Sequence, residues 1–228
     1  MSRKIGIFAF LWPVSYGFRG GSSMVCGPMW LNMNELFAKI IRGCMICLGK
    51  LPLKFHYFMG DILSLIAEKL LRYRTDVVWI NLSRSFPEMK YKELKKVYRD
   101  FYRHFGEIFA ETIWFAAATY KRLFKSGIVT VTNPEEINDI FLSTPSMTVL
   151  STHCGNWELM GGFLGYRTSS GVKVAIEEEH IQVVYKKLSN PVSDEVFRRN
   201  RVAALEIVGT SCEIESSNIL RQTLKQKD

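Results

Sequence analysis

The 228-residue chain is long enough for one sizeable domain, or for a domain with a helical extension. Its 47% apolar and 23% charged residues exclude a disordered composition, and its formal net charge of +8 points to an anionic partner. The 15 Phe, 9 Tyr and 5 Trp exceed the needs of a small core. Basic charge with many aromatics fits an anionic membrane surface better than nucleic acid, for which there is no zinc-finger spacing, aromatic RNA-binding signature or helix-turn-helix. An ordinary solvated basic surface is the plainer alternative.

Residues 1–31 are unassigned. Ser2-Arg3-Lys4 followed by the apolar run 5–14 resembles a weak signal sequence, but the run is shorter than the ~20 residues that cross a bilayer. Gly20-Gly21-Ser22-Ser23 reads as a flexible stretch. Apolar residues at 36, 37, 40, 41, 44, 45 and 48 follow the helical period, and Pro52 ends that helix. A second helical pattern runs through 55, 58, 59, 62, 63, 66 and 70, with Arg72 and Arg74 expected in its last turn. Residues 32–76 therefore form a helical hairpin that either packs on a core or lies in a membrane interface, and periodicity does not decide between them. Cys44 and Cys47 make a C-x-x-C inside this pattern without a second pair, so free thiols are the plain reading.

Pro87 breaks the apolar pattern of 77–88. A long amphipathic helix is expected from about 90 to 118, with Val97, Phe101, Phe105, Ile108, Phe109 and Ile113 on its apolar face. The rhythm changes after Gly127. Residues 128–132, 147–151, 181–185 and 204–208 read as strands. Helices are expected from Asn133-Pro134, from Trp157, from Asn190-Pro191 and from Ser216 or Ser217. This alternation predicts an α/β fold: N-terminal amphipathic helices, then a largely parallel sheet flanked by helices over 77–228. With no strand after the last helix, the sheet is expected to be incomplete at its C-terminal end.

Chemistry concentrates in Ser151-Thr152-His153-Cys154-Gly155-Asn156-Trp157-Glu158, where a strand gives way to a helix. In open α/β sheets that carboxyl edge is where ligands bind. His153 and Glu158 are separated by four residues. Across a turn at Gly155, the carboxylate can fold back to one ring nitrogen, fix the tautomer and leave the other nitrogen as a base. The same spacing fits a histidine that caps a helix with a glutamate in its first turn. His56, His104 and His180 have no partners at metal-ligand spacing. Lys186, Lys187, Arg198, Arg199 and Arg201 read, by themselves, as solvated cations of a strand end and a helix.

The string Thr152-His153-Cys154-Gly155-Asn156-Trp157-Glu158 resembles the H-x-x-x-x-(D/E) signature of the lipid A biosynthesis late acyltransferases, of the lauroyl/myristoyl type. Asn81 through Phe86-Pro87-Glu88 resembles the family's N-x-x-x-x-F-P-E element, and the hairpin around Leu51-Pro52-Leu53 its membrane-associating region. The stretch from Tyr185 to Asn190-Pro191, with Arg198 to Arg201 downstream, resembles its Y-(R/K)-x-L-x-N-P block and following arginines. The likeness covers about residues 32–225.

The resemblance implies transfer of a fatty acyl group from an acyl carrier protein thioester to a hydroxyl of a lipid A precursor, at the cytoplasmic face of the bacterial inner membrane. His153 would be the general base and Glu158 its support. Asn156, Trp157, Tyr185, Asn190, Arg198 and Arg201 are the implied substrate-binding residues, an arginine meeting phosphate or the developing oxyanion. No metal or organic cofactor is implied. The basic face suits an acidic carrier protein and a phosphorylated acceptor.

Several features depart from the family. Cys154 stands where an aromatic is frequent, and 172–180 is longer and more acidic than expected. The family continues with a further strand and an Asp-Gln segment, so the chain ending at Asp228 is expected to be inactive and poorly soluble by itself. A non-catalytic lipid-binding remnant is the alternative of another class. A glycerophospholipid acyltransferase fits less well, because Thr152 stands where that group has Asn before the histidine.

Overall fold

The computed structural model describes residues 33–144, 149, 152, 154–176, 183–185, 188–201, 203–204 and 213–215, with 183–185 and 213–215 described by backbone alone. The chain divides into two compact units, one spanning Met45–Ala117 and the other made of the residues on either side of it. The boundaries fall inside α1 (Met33–Gly49) and just after α4 (Tyr91–Phe115).

The unit Met45–Ala117 is helical. It holds the end of α1, then α2 (Leu53–Leu65), which continues into a π-helical turn at Ile66–Leu70. It also holds α3 (Thr75–Ser85) and α4. The stretch 77–88 is thus mostly helix, which its sequence did not announce. Glu93 starts α4 by accepting from the Lys90 backbone N–H at 3.0 Å.

The buried face of α2 is not its apolar one. On α2 the buried residues are His56, Gly60 and Ser64, while Phe55, Phe58, Met59, Ile62 and Leu65 are exposed. On α4 the buried row is Leu94, Tyr98, Tyr102, Gly106 and Ala110. Of the expected face only Phe101 and Phe109 are exposed; Val97, Phe105, Ile108 and Ile113 are half-buried, beside a fully buried row one position round the helix. The reason is steric. Small residues let two helix backbones approach closely. A Cβ on Gly60 would lie 2.7 Å from the Gly106 carbonyl oxygen, and one on Gly106 would overlap that of Gly60. Gly106→Ala is therefore expected to destabilise the protein by about 1–3 kcal/mol. The urea midpoint reads this, and an unchanged midpoint would mean that α2 and α4 do not meet at this pair.

Aromatic residues close the other end of this unit. Ala67, Val78, Tyr98 and Tyr102 form a buried cluster against which Trp79, Leu82 and Phe105 pack. Trp79 stacks on Tyr98 with centroids 4.6 Å apart. Arg72 and Arg74 do not belong to the last turn of the second helix, as expected from sequence. They lie beyond it, both left-handed, at φ 47° and 55°. Such backbone costs about 1–2 kcal/mol per non-glycine residue. The reversal is held at Tyr73, whose carbonyl accepts from the Tyr102 hydroxyl at 2.6 Å and whose ring stacks on Phe105.

The second unit is α/β. After the first part of α1 it holds α5 (Tyr120–Ser126), β1 (Thr130–Val131) and α6 (Pro134–Ser143). A 3₁₀ helix (Trp157–Gly165), β2 (Arg167–Thr168), β3 (Val183–Tyr185), α7 (Pro191–Arg201) and β4 (Glu213–Glu215) follow. Among the described residues, β1 pairs with β2 and β3 with β4, both parallel. The parallel α/β expectation holds, with α7 as the crossover between β3 and β4.

Particular elements differ from their expected bounds. The strand expected at 128–132 is shorter, Thr130–Val131, and of that at 181–185 the described residues Val183–Tyr185 are strand. β2 and β4 lie where none was expected, and 203–204 are a turn. The helix entered at Trp157 is 3₁₀ rather than α, over a stretch whose three glycines favour no α-helix. Most of the expected strand at 147–151, the remainder of that at 204–208, and the helix from Ser216 lie outside the described residues. Asn133 and Pro134 do open α6, although the Asn133 amide donates to Glu136 at 2.8 Å instead of capping the backbone.

Candidate active site

The turn ahead of the 3₁₀ helix is built locally. Gly155 takes φ 68°, which its missing Cβ permits. Asn156 is buried, and its side-chain oxygen accepts from the Glu158 N–H at 3.2 Å, capping the helix. Trp157 is exposed and Glu158 buried. His153 lies outside the described residues, while Thr152 and Cys154 on either side are exposed.

Glu158 has a distant partner. Arg201, the last residue of α7, donates from Nε to Oε2 at 3.3 Å and from Nη2 to Oε1 at 3.2 Å. The pair is a bidentate fork, with side-chain exposures of 8% for Glu158 and 23% for Arg201. A carboxylate has about four lone-pair sites and the fork takes two, so room remains for an imidazole N–H. Gly161 lets the end of α7 seat against the 3₁₀ helix, because a Cβ there would overlap the Arg201 carbonyl oxygen.

The other candidates occupy different places. Arg198 forks onto Glu195 of its own helix at 3.1 and 2.8 Å, and Arg199 bonds the same carboxylate. Burial alone would raise the Glu195 carboxyl, but these two guanidiniums outweigh it and hold it below its ordinary range. Asn190 starts α7, its side-chain oxygen accepting from the Ser193 N–H at 2.9 Å. Tyr185 closes β3, opposite Glu215 in the parallel register. The structure thus brings together Asn156, Glu158 and Arg201.

Sequence reading missed Gly161, Arg42 and Asn200. Arg42 of α1 donates from Nη1 to the Oδ1 of fully buried Asn200 at 2.8 Å. Burial, then the like charge of Arg199, pull the Arg42 guanidinium below its ordinary value. The available signal was an arginine on the helix face opposite the apolar stripe of 36–48. Among the described residues, no group of three or more His, Cys, Asp and Glu gathers as a metal site, and Cys44, Cys47 and Cys154 are free and exposed.

An α/β unit with parallel strand pairs, and a forked carboxylate at a turn into a helix, belong in this chain to an acyltransferase. Residues 31–211 match the model of the bacterial lipid A biosynthesis acyltransferase family, and the chain belongs to that family. Comparison with curated proteins and with solved structures found no match.

Proposed function

We propose that the protein transfers a fatty acyl group from an acyl carrier protein thioester to a hydroxyl of a lipid A precursor. His153 takes the hydroxyl proton as the oxygen attacks the thioester carbonyl. The tetrahedral oxyanion then collapses, the C–S bond breaks, and the thiolate leaves with the proton from His153. Glu158 orients the imidazole and supports its charge in between. The observation that carries this reading is the buried Glu158 carboxylate, forked by Arg201, in the turn that follows His153. Incubating the purified protein with acyl carrier protein thioesters and a lipid A precursor tests it. Against the inactivity expected from sequence, a precursor heavier by one acyl group is expected by mass spectrometry, because the Glu158–Arg201 fork forms within the described residues; transfer to water alone would sink the reading.

The reaction is placed at the cytoplasmic face of the bacterial inner membrane. Among the described residues no helix is long and apolar enough to cross a membrane. What supports a surface location is the inverted burial of α2, with Phe58 61% and Leu65 57% exposed while His56 and Gly60 face inward. An exposed apolar helix face flanked by cations suits an anionic lipid interface. Replacing Phe55, Phe58, Met59 and Leu65 together by Ser is expected to weaken binding to anionic phospholipid vesicles by more than about a hundredfold. Binding unchanged in a vesicle sedimentation assay would place the lipid contact elsewhere.

A further inference from the structure

Asn200, which Arg42 of α1 bonds, stands one residue before the Arg201 that forks Glu158. Asn200 is wholly buried and accepts from Arg42 across 158 positions of sequence. This contact limits rotation of the last turn of α7 about its axis. The seat of the Arg201 carbonyl against Gly161 limits its approach to the 3₁₀ helix. Rotation and approach together set where the Arg201 guanidinium lies. The fork has little slack. At 3.2 and 3.3 Å its bonds are already at the long end of charge-assisted geometry, so a displacement of about 1 Å breaks it.

We propose that Arg42 and Asn200 are positioning residues for acyl transfer: by fixing the end of α7 to α1, they set the reach of Arg201 to Glu158 and thereby the orientation of His153. This rests on the reading of His153 and Glu158 given above. Arg42 touches neither substrate nor the reacting atoms in this scheme. Its removal therefore acts on the chemical step and not on substrate affinity.

Two measurements on the full chain in detergent test the link. The first is a thermal-unfolding cycle of Arg42→Ala, Glu158→Gln and the double variant. The second substitution is expected to lower Tm by less than about half as much in the presence of the first as it does alone. Additive shifts overturn the link, whether or not the protein is active. If Arg42→Ala does not fold, Arg42→Lys takes its place in the cycle with the same two outcomes.

The second measurement is steady-state transfer from an acyl carrier protein thioester to a lipid A precursor. Arg42→Ala is expected to lower kcat about tenfold or more, with KM for both substrates within about threefold. Arg42→Lys, which keeps a donor cation, is expected to recover part of the loss. Unchanged kcat in Arg42→Ala beside an active parent overturns the positioning role alone. A parent that transfers nothing overturns the proposed function, while the unfolding cycle still decides the link.

Discussion

His153→Ala is expected to reduce acyl transfer by about 10²–10⁴, the scale of one well-placed general base. The loss should fall on kcat, because the imidazole acts while the proton moves. The substitution should leave the melting temperature of the protein almost unchanged, because Glu158 keeps its fork to Arg201. Glu158→Gln should lose less, since it removes the charge that supports the imidazolium and not the base itself. The order of the two losses is the discriminating result. A His153→Ala enzyme as active as its parent would falsify the mechanism.

Arg201→Ala carries the largest expected effect on stability. Removing one partner of a buried ion pair leaves a charge uncompensated and typically costs about 3–5 kcal/mol. The lower end applies here, because the fork is long and Arg201 keeps 23% of its side chain exposed. A loss of about 3 kcal/mol in a chain of this size lowers Tm by about 6–12 °C. Arg201→Lys should fall between, because a point charge cannot fork both oxygens. Combining Arg201→Ala with Glu158→Gln should restore part of the loss, since the amide carries no charge to strand. A double variant no more stable than Arg201→Ala would show that the cost lies elsewhere than in the unpaired carboxylate.

The helix starts were legible because they are written in adjacent residues. Asn133-Pro134 and Asn190-Pro191 open α6 and α7 where expected, since proline at the first helical position needs no partner for the N–H it lacks. The 3.6-residue period likewise announced α1, α2 and α4. The face that α2 buries was not legible. Periodicity locates an apolar stripe without saying what covers it, and on α2 a row of His, Gly and Ser is buried instead. Close backbone approach at Gly60 and Gly106 selected that row. Arg198, Arg199 and Arg201 were equivalent as letters on a helix. They separated only in space, two onto Glu195 and one onto Glu158.

The sequence by itself determined the family, the alternation of helix with parallel strand, and the turn that carries Glu158, because each depends on motifs a few residues long. The tertiary structure alone decided that Arg201 forks Glu158 across 43 positions and that Arg42 reaches Asn200 across 158. Pairs so far apart leave no local signal, because hydrogen-bond partners are chosen by the packing of whole elements and not by the residues beside them.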